Sequence, residues 1–210
     1  MPELPINSKE RLQALTPAEA VGLLKAGNDR YVKKTARVHD PAEMRQLTAA
    51  GQHPYAIVLS CIDSRVIPEV IFDAGIGELF VARIAGNIVN RDILGSMEYA
   101  CAVTGSKVVV VLGHTACGAV KGAVDKVVLG NLSGALRPLQ LAIAQAEAEY
   151  PGDPASAGKE FVDRVAAKNV ELSIEDVRAQ SSVLREVEEK GQIIITGAMY
   201  DHVSGEVSWM

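Results

Sequence analysis

The sequence predicts an α/β fold: a single domain with a mostly parallel central β-sheet flanked by helices, an antiparallel C-terminal edge strand and an N-terminal helical arm. Three observations predict it. Short β-branched runs at 55–60, 79–84, 107–112 and 192–199 have the length of buried strands. Segments with helical start and stop signals separate them, which is the alternation of a sheet built from βαβ units. The 210 residues carry no repeat and no low-complexity stretch, so one core of ordinary size suffices. Residues 1–50 read as the arm and 51–210 as the α/β core.

Taken in order, Thr16-Pro17-Ala18-Glu19 is a capping box with proline at the first helical position, opening a helix that runs to about Lys34. The segment before Thr16 has little to pack on and reads as an arm that docks on a partner. Residues 41–50 form a short second helix, and Gly51-Gln52-His53-Pro54 turns the chain into the strand at 55–60. A short helix starts at Pro68 and is broken by Gly75 and Gly77; the strand at 79–84 and an Ala85-Gly86-Asn87 turn follow. Residues 92–104 read as a helix closed by Gly105, ahead of the strand at 107–112. A helix from Cys117 to about Val128 comes next, and another spans 133–150. Pro151-Gly152-Asp153-Pro154 is a loop without a domain boundary. Ser173 is expected to cap a helix with the apolar face Ile174, Val177, Leu184 and Val187, stopped by Gly191. After the strand at 192–199, Ser204-Gly205 turns the chain back into an edge strand at 206–210.

Composition excludes several classes. A net charge of −5 without a basic cluster argues against a nucleic-acid surface. No apolar run reaches the ~20 residues of a membrane span, and Met-Pro-Glu-Leu-Pro is not a secretory leader. Three cysteines in 210 residues do not make a disulfide framework, so reduced thiols and a cytoplasmic location are expected.

The chemistry gathers at two strand ends. The run at 107–112 leads through Gly113 to His114 and Cys117; the run at 55–60 ends on Cys61-Ile62-Asp63-Ser64-Arg65. Parallel strands place such residues in the crevice at the carboxyl edge of the sheet. Two thiolates and one imidazole are a sufficient protein complement for a catalytic zinc, which keeps its fourth position open. The alternative is that Cys61 and Cys117 are small buried apolar residues. At the start of a helix, Cys117 gains thiolate character from the helix dipole. Cys101 reads as core, while His39, His53 and His202 lie in polar turns without ligand partners; Arg83 and Asn87 are expected to serve structural hydrogen bonds.

Cys61-Ile62-Asp63-Ser64-Arg65-Val66 with Pro68-Glu69, and His114-x-x-Cys117-Gly118 further on, resemble a β-class carbonic anhydrase. Gly77-Glu78-Leu79-Phe80-Val81-Ala82-Arg83-Ile84-Ala85-Gly86-Asn87 and Gly95-Ser96-Met97-Glu98-Tyr99-Ala100 match the same family, and the similarity runs from the helix at Thr16 to the C-terminal hairpin. The resemblance implies one Zn²⁺ per chain on Cys61, His114 and Cys117, and reversible hydration of carbon dioxide to bicarbonate. It implies a dyad in which Arg65 holds Asp63 off the metal and Asp63 orients the hydrating water. It places Gln52, Phe80, Tyr99 and Gly118 at the substrate pocket, part of it supplied by a partner subunit in a homodimer or homotetramer. For Phe80 and Tyr99, ordinary core packing is the competing reading. Val58 stands where the self-inhibited branch of the family has tryptophan, which points to the branch with an open zinc position. Hydrolysis of carbonyl sulfide or carbon disulfide on the same site is an enzymatic alternative. A non-enzymatic structural zinc is another, against which Asp63 and Arg65 argue.

Overall fold

The computed structural model describes residues 8–153 and 158–210. Residues 1–7 of the expected arm, and Pro154 of the expected loop, lie outside the described residues. Among the described residues, five strands form one sheet in the order β2-β1-β3-β4-β5. Strands β1 (Ala56–Ser60), β2 (Leu79–Arg83), β3 (Val108–His114) and β4 (Ile194–Tyr200) run parallel, and β5 (Val207–Trp209) pairs antiparallel with β4. The α/β class, the mostly parallel sheet and the antiparallel edge are those the sequence predicts.

Residues of β1 and β3 are buried throughout, as unbroken apolar runs should be when helices cover both faces. The two-residue strand period sends Val58, Val108, Val110 and Leu112 to one side, where they meet Ala20 and Leu24. Ile57, Leu59, Val109 and Val111 go to the other, against Met97, Val170 and Leu184. A third cluster of buried residues gathers around Cys61 and Cys117. The chain leaves β1 toward β2 and leaves β3 toward β4, in opposite directions, although β1 and β3 are neighbours. Their carboxyl ends therefore flank the crevice where the strand order reverses.

Ten helices are described: α1 (Lys9–Ala14), α2 (Pro17–Val32), α3 (Pro41–Thr48), α4 (Pro68–Ile71), α5 (Arg91–Glu98), α6 (Gly118–Val124), α7 (Gly130–Ala135), α8 (Leu139–Glu149), α9 (Lys159–Gln180) and α10 (Ser182–Glu189). The capping box at Thr16 and Glu19 forms as expected. Other expectations need correcting. The segment before Thr16 does find packing, because α1 buries Leu12 in the first apolar cluster. The helix expected over 92–104 is α5 followed by a π-helical turn, Tyr99–Val103. The helix begun at Cys117 stops at Val124, ahead of Lys126 at φ 55. Residues 133–150 do not form one helix: α7 ends at Ala135 and α8 starts after Pro138, whose ring cannot sit inside a helix.

Ser173 caps nothing. It lies buried inside α9 on the stripe Val162, Val165, Ala166, Asn169, Val170, Ser173 and Val177, whose spacing is that of one helix face. The break falls at Ser181, whose Oγ accepts from the Leu184 amide at 3.1 Å and donates to Glu98 at 2.6 Å. Ile174 and Val177 thus belong to α9, and Leu184 and Val187 to α10. Two glycines let α9 press on the sheet: a Cβ on Gly113 would come within 2.6 Å of Val170 and Met199, and one on Gly197 within 2.5 Å of Val170.

Charged groups fasten α2 and the segment after it to the core. Asp73, 4% exposed, takes hydrogen bonds from Arg30, from the Arg37 amide and from His39. Arg37 also reaches Glu78 at 2.8 Å. His39 is therefore a partner of a buried carboxylate, a contact its turn position does not disclose. Burial raises the Asp73 pKa, but Arg30, the Arg37 amide and His39 outweigh it and leave it below the ordinary value. A carboxylate depressed in the folded state contributes stability above its unfolded pKa, and loses it as pH falls through the folded one. Asp73→Asn should thus cost about 2–3 kcal/mol at neutral pH, below the ~3–5 typical of a fully buried pair because both arginine side chains are 31% exposed. Urea unfolding at pH 7 and pH 3 checks this: the gap between wild type and variant should narrow at the lower pH.

Candidate metal centre

Cys61 follows the last residue of β1, His114 is the last residue of β3, and Cys117 is the N-cap of α6. The sequence places His114 just past the strand; the ladder in fact extends through the His114–Tyr200 pair. One Sγ each from Cys61 and Cys117 and a ring nitrogen of His114 lie within 4.8 Å of one another, and all three residues are buried. The sulfurs are 4.0 Å apart, and all three cysteines of the chain are free. Two zinc–sulfur bonds of ~2.3 Å at a tetrahedral angle set sulfurs ~3.8 Å apart, so the spacing fits that ion and no disulfide.

The donor atoms point the right way. His114 Nε2 is buried without a hydrogen-bond partner, whereas Nδ1 lies 2.9 Å from the Thr115 carbonyl oxygen and 3.0 Å from His202 Nε2. With the proton on Nδ1, the Nε2 lone pair is free for a metal. Cys61 Sγ accepts from the Gly86 amide at 3.3 Å. Proton sharing with Cys117 lowers the Cys61 pKa, with His114 and the Gly86 amide acting in the same sense against burial. The same sharing, together with burial, raises that of Cys117. Two sulfurs and an unpartnered ring nitrogen in this arrangement could hold a metal ion, which would take both cysteines as thiolates.

Asp63 and Arg65 stand beside this cluster. Asp63 Oδ1 accepts from Arg65 Nε at 2.9 Å and from its amide at 3.0 Å, and Oδ2 accepts from Nη2 at 2.7 Å. This fork is the strong form of a carboxylate pair. It holds the Asp63 carboxyl well below the usual carboxylate range, with the cationic Arg65 as the largest cause. An Asp63 oxygen still lies within 4.8 Å of a His114 ring nitrogen. Arg83 braces the loop from below, donating to the Cys61 carbonyl at 3.1 Å and the Asp63 carbonyl at 2.7 Å. That is the structural role expected of Arg83. The Asn87 backbone amide donates to the Ile84 carbonyl at 3.0 Å, while its side-chain Nδ2 is buried without a partner among the described residues.

The pocket residues separate. Gly118 adjoins Cys117, and a Cβ there would meet nothing within 4 Å. Phe80 and Tyr99 meet edge to face at 6.1 Å and line a groove with Ile57, Ala82 and Arg83. Phe80 pairs with Ile57, three residues short of the end of β1, or ~10 Å from the metal edge. Gln52 precedes β1 and stands at the other edge of the sheet, beside His53 and Lys107. A single chain therefore does not bring Gln52, Phe80 or Tyr99 to the cluster.

Three supporting residues escape the sequence. Asn169 donates to the Gly86 carbonyl at 2.9 Å, fixing the turn whose amide meets Cys61. Its one sequence signal is a polar residue on the apolar face of α9. Asp163 accepts at 2.6 Å from the amide of Ala116, which stands at φ 51. His202, expected to lie in a turn without a ligand neighbour, packs against His114 instead. Replacing Cys117 with serine should abolish metal binding while leaving the fold intact. Metal analysis and circular dichroism of the purified variant check this, and full occupancy would remove Cys117 from the donor set.

The chain as a whole is similar to known proteins. A family model described as carbonic anhydrase matches residues 56–207. Carbonic anhydrase 2 of Mycobacterium tuberculosis is 37% identical over 188 residues, 88% of each chain. The carbonic anhydrase of Mycolicibacterium smegmatis is 33% identical over 195 residues, 91% of this chain and 92% of its own. One of two tetrameric β-carbonic anhydrases of Sordaria macrospora superposes with a TM-score of 0.73 at 28% identity, covering 92% of this chain and 94% of that one.

Proposed function

The chain belongs to the β-carbonic anhydrase family, and from that premise we propose that it hydrates carbon dioxide reversibly to bicarbonate and a proton, using one Zn²⁺ per chain on Cys61, His114 and Cys117. The observation that carries the reading is the buried convergence of two sulfurs and an unpartnered imidazole nitrogen beside a carboxylate locked by arginine. Zn²⁺ held by these three residues would supply a nucleophile at the site by lowering the pKa of a water. Asp63, kept as a carboxylate, only accepts hydrogen bonds and so would orient that water through its proton. Arg65 occupies both Asp63 oxygens and so keeps that side chain from taking the fourth ligand position. With Asp63 at 14% exposure and Arg65 at 57%, the released proton has a short path to solvent.

Gly118 leaves space beside Cys117 for a small linear substrate. We assign Gln52, Phe80 and Tyr99 to the apolar slot of a neighbouring subunit's site, since in their own chain they lie away from the donors. The assembly is then a homodimer or homotetramer, in line with the tetrameric Sordaria relatives. Free buried thiols suit a reducing cytoplasm, and among the described residues no helix is long and apolar enough to cross a membrane. Light scattering on the active enzyme checks the assembly; a fully active monomer would contradict it.

The donor set fixes the pH dependence. Two thiolates cancel the formal charge of Zn²⁺, so the water loses its proton above the ~7 characteristic of carbonic anhydrases whose zinc sits on three neutral histidines. Turnover should rise through mildly alkaline pH. Because Asp63 stays ionised well below that range, this limb belongs to the water. Stopped-flow hydration across pH 6–9 tests it, and a profile flat from pH 6 would oppose it. Arg65→Ala should lower turnover by about 10–100-fold, the range for losing a group that orients a metal-site residue.

A further inference from the structure

Among the polar groups near the site, one partly buried contact belongs neither to the donors alone nor to the Asp63–Arg65 pair. His202 Nε2 sits 3.0 Å from His114 Nδ1, with the two rings at 66° and their centroids 4.9 Å apart. We propose that His202 is a positioning residue for His114: its Nε2 accepts a hydrogen bond from Nδ1–H, which fixes the tautomer and the ring so that Nε2 of His114 faces the metal site. The inference rests on the zinc reading of Cys61, His114 and Cys117.

Geometry independent of His114 holds His202 there. The β4–β5 turn is tied to the end of β3 by the Thr115 amide, which donates to the Tyr200 carbonyl at 3.0 Å. The His202 amide donates to Thr115 Oγ1 at 3.2 Å, and Thr115 Oγ1 donates to Asp201 Oδ2 at 3.3 Å. Asp201 Oδ1 caps the turn through the amides of Val203 and Ser204, at 2.8 and 2.7 Å. The Tyr200 ring stands edge-on to His202 at 5.2 Å and limits its rotation. A metal-ligating imidazole needs its outer N–H fixed, and such outer partners raise ligand basicity. The Thr115 carbonyl shares the Nδ1 proton at 2.9 Å, so loss of His202 weakens the hold without abolishing it.

Zinc affinity and zinc release into a chelator, measured on the full chain, test the proposal. His202→Leu should weaken zinc binding by about 10-fold, the low end of the range for an outer partner because the Thr115 carbonyl persists. His202→Gln, which offers an amide oxygen as acceptor, should recover most of the affinity. Cobalt-loaded protein should show a shifted ligand-field spectrum for His202→Leu and a near-native one for His202→Gln. Equal affinity and release in wild type and His202→Leu would overturn the positioning role alone. A leucine variant whose metal-free form melts early, with glutamine giving no recovery of affinity, would assign His202 to folding and also overturn it. Wild type without zinc would remove the underlying site.

Discussion

Two thiols and an imidazole nitrogen are buried facing one another at the carboxyl edge of the sheet, and that convergence governs the rest of the molecule. Such donors lose solvation on folding and repel one another once ionised, so a cation between them would offset much of the cost of their burial. The neighbouring features hold these three side chains together. Adjacent parallel strands bring Cys61 and His114 together, and the start of α6 delivers Cys117 with its helix N-terminus directed at the sulfur. The strand order reverses between β1 and β3, which opens the crevice between their carboxyl ends.

Around the donors, hydrogen bonds replace covalent constraint. Arg83 fixes the carbonyls of Cys61 and Asp63, the Gly86 amide meets the Cys61 sulfur, and Asn169 in turn fixes Gly86. Asp163 holds Ala116 in a left-handed conformation, which lets the chain turn from His114 back to Cys117 within three residues. Asn169 reaches Gly86 because α9 lies close to the sheet, a proximity permitted by Gly113 and Gly197. Packing of one helix thus sets the position of the Cys61 sulfur past the end of β1.

Much of this is legible in the sequence because local and global signals agree there. The buried strands announce themselves as β-branched runs, and the donor set as cysteine and histidine at strand ends. The departures have specific physical sources. Ser173 reads as a cap because serine favours helix starts, but the apolar stripe through it continues unbroken and the true cap is Ser181. Pro138 divides a segment whose alanine and leucine content alone suggests one helix. His39 and His202 lie in turns, and turns do not disclose which buried group their side chains meet across the fold. Gln52, Phe80 and Tyr99 are legible only as a family pattern, since their own chain keeps them from the donors.

The central claim is a zinc ion on two sulfurs and one nitrogen, with a fourth position not taken by a third thiolate. X-ray absorption at the zinc edge on protein purified without added metal addresses it directly. The account predicts two sulfurs at ~2.3 Å and two light atoms at ~2.0–2.1 Å. A shell of four sulfurs, a shell of light atoms only, or protein free of zinc would contradict it.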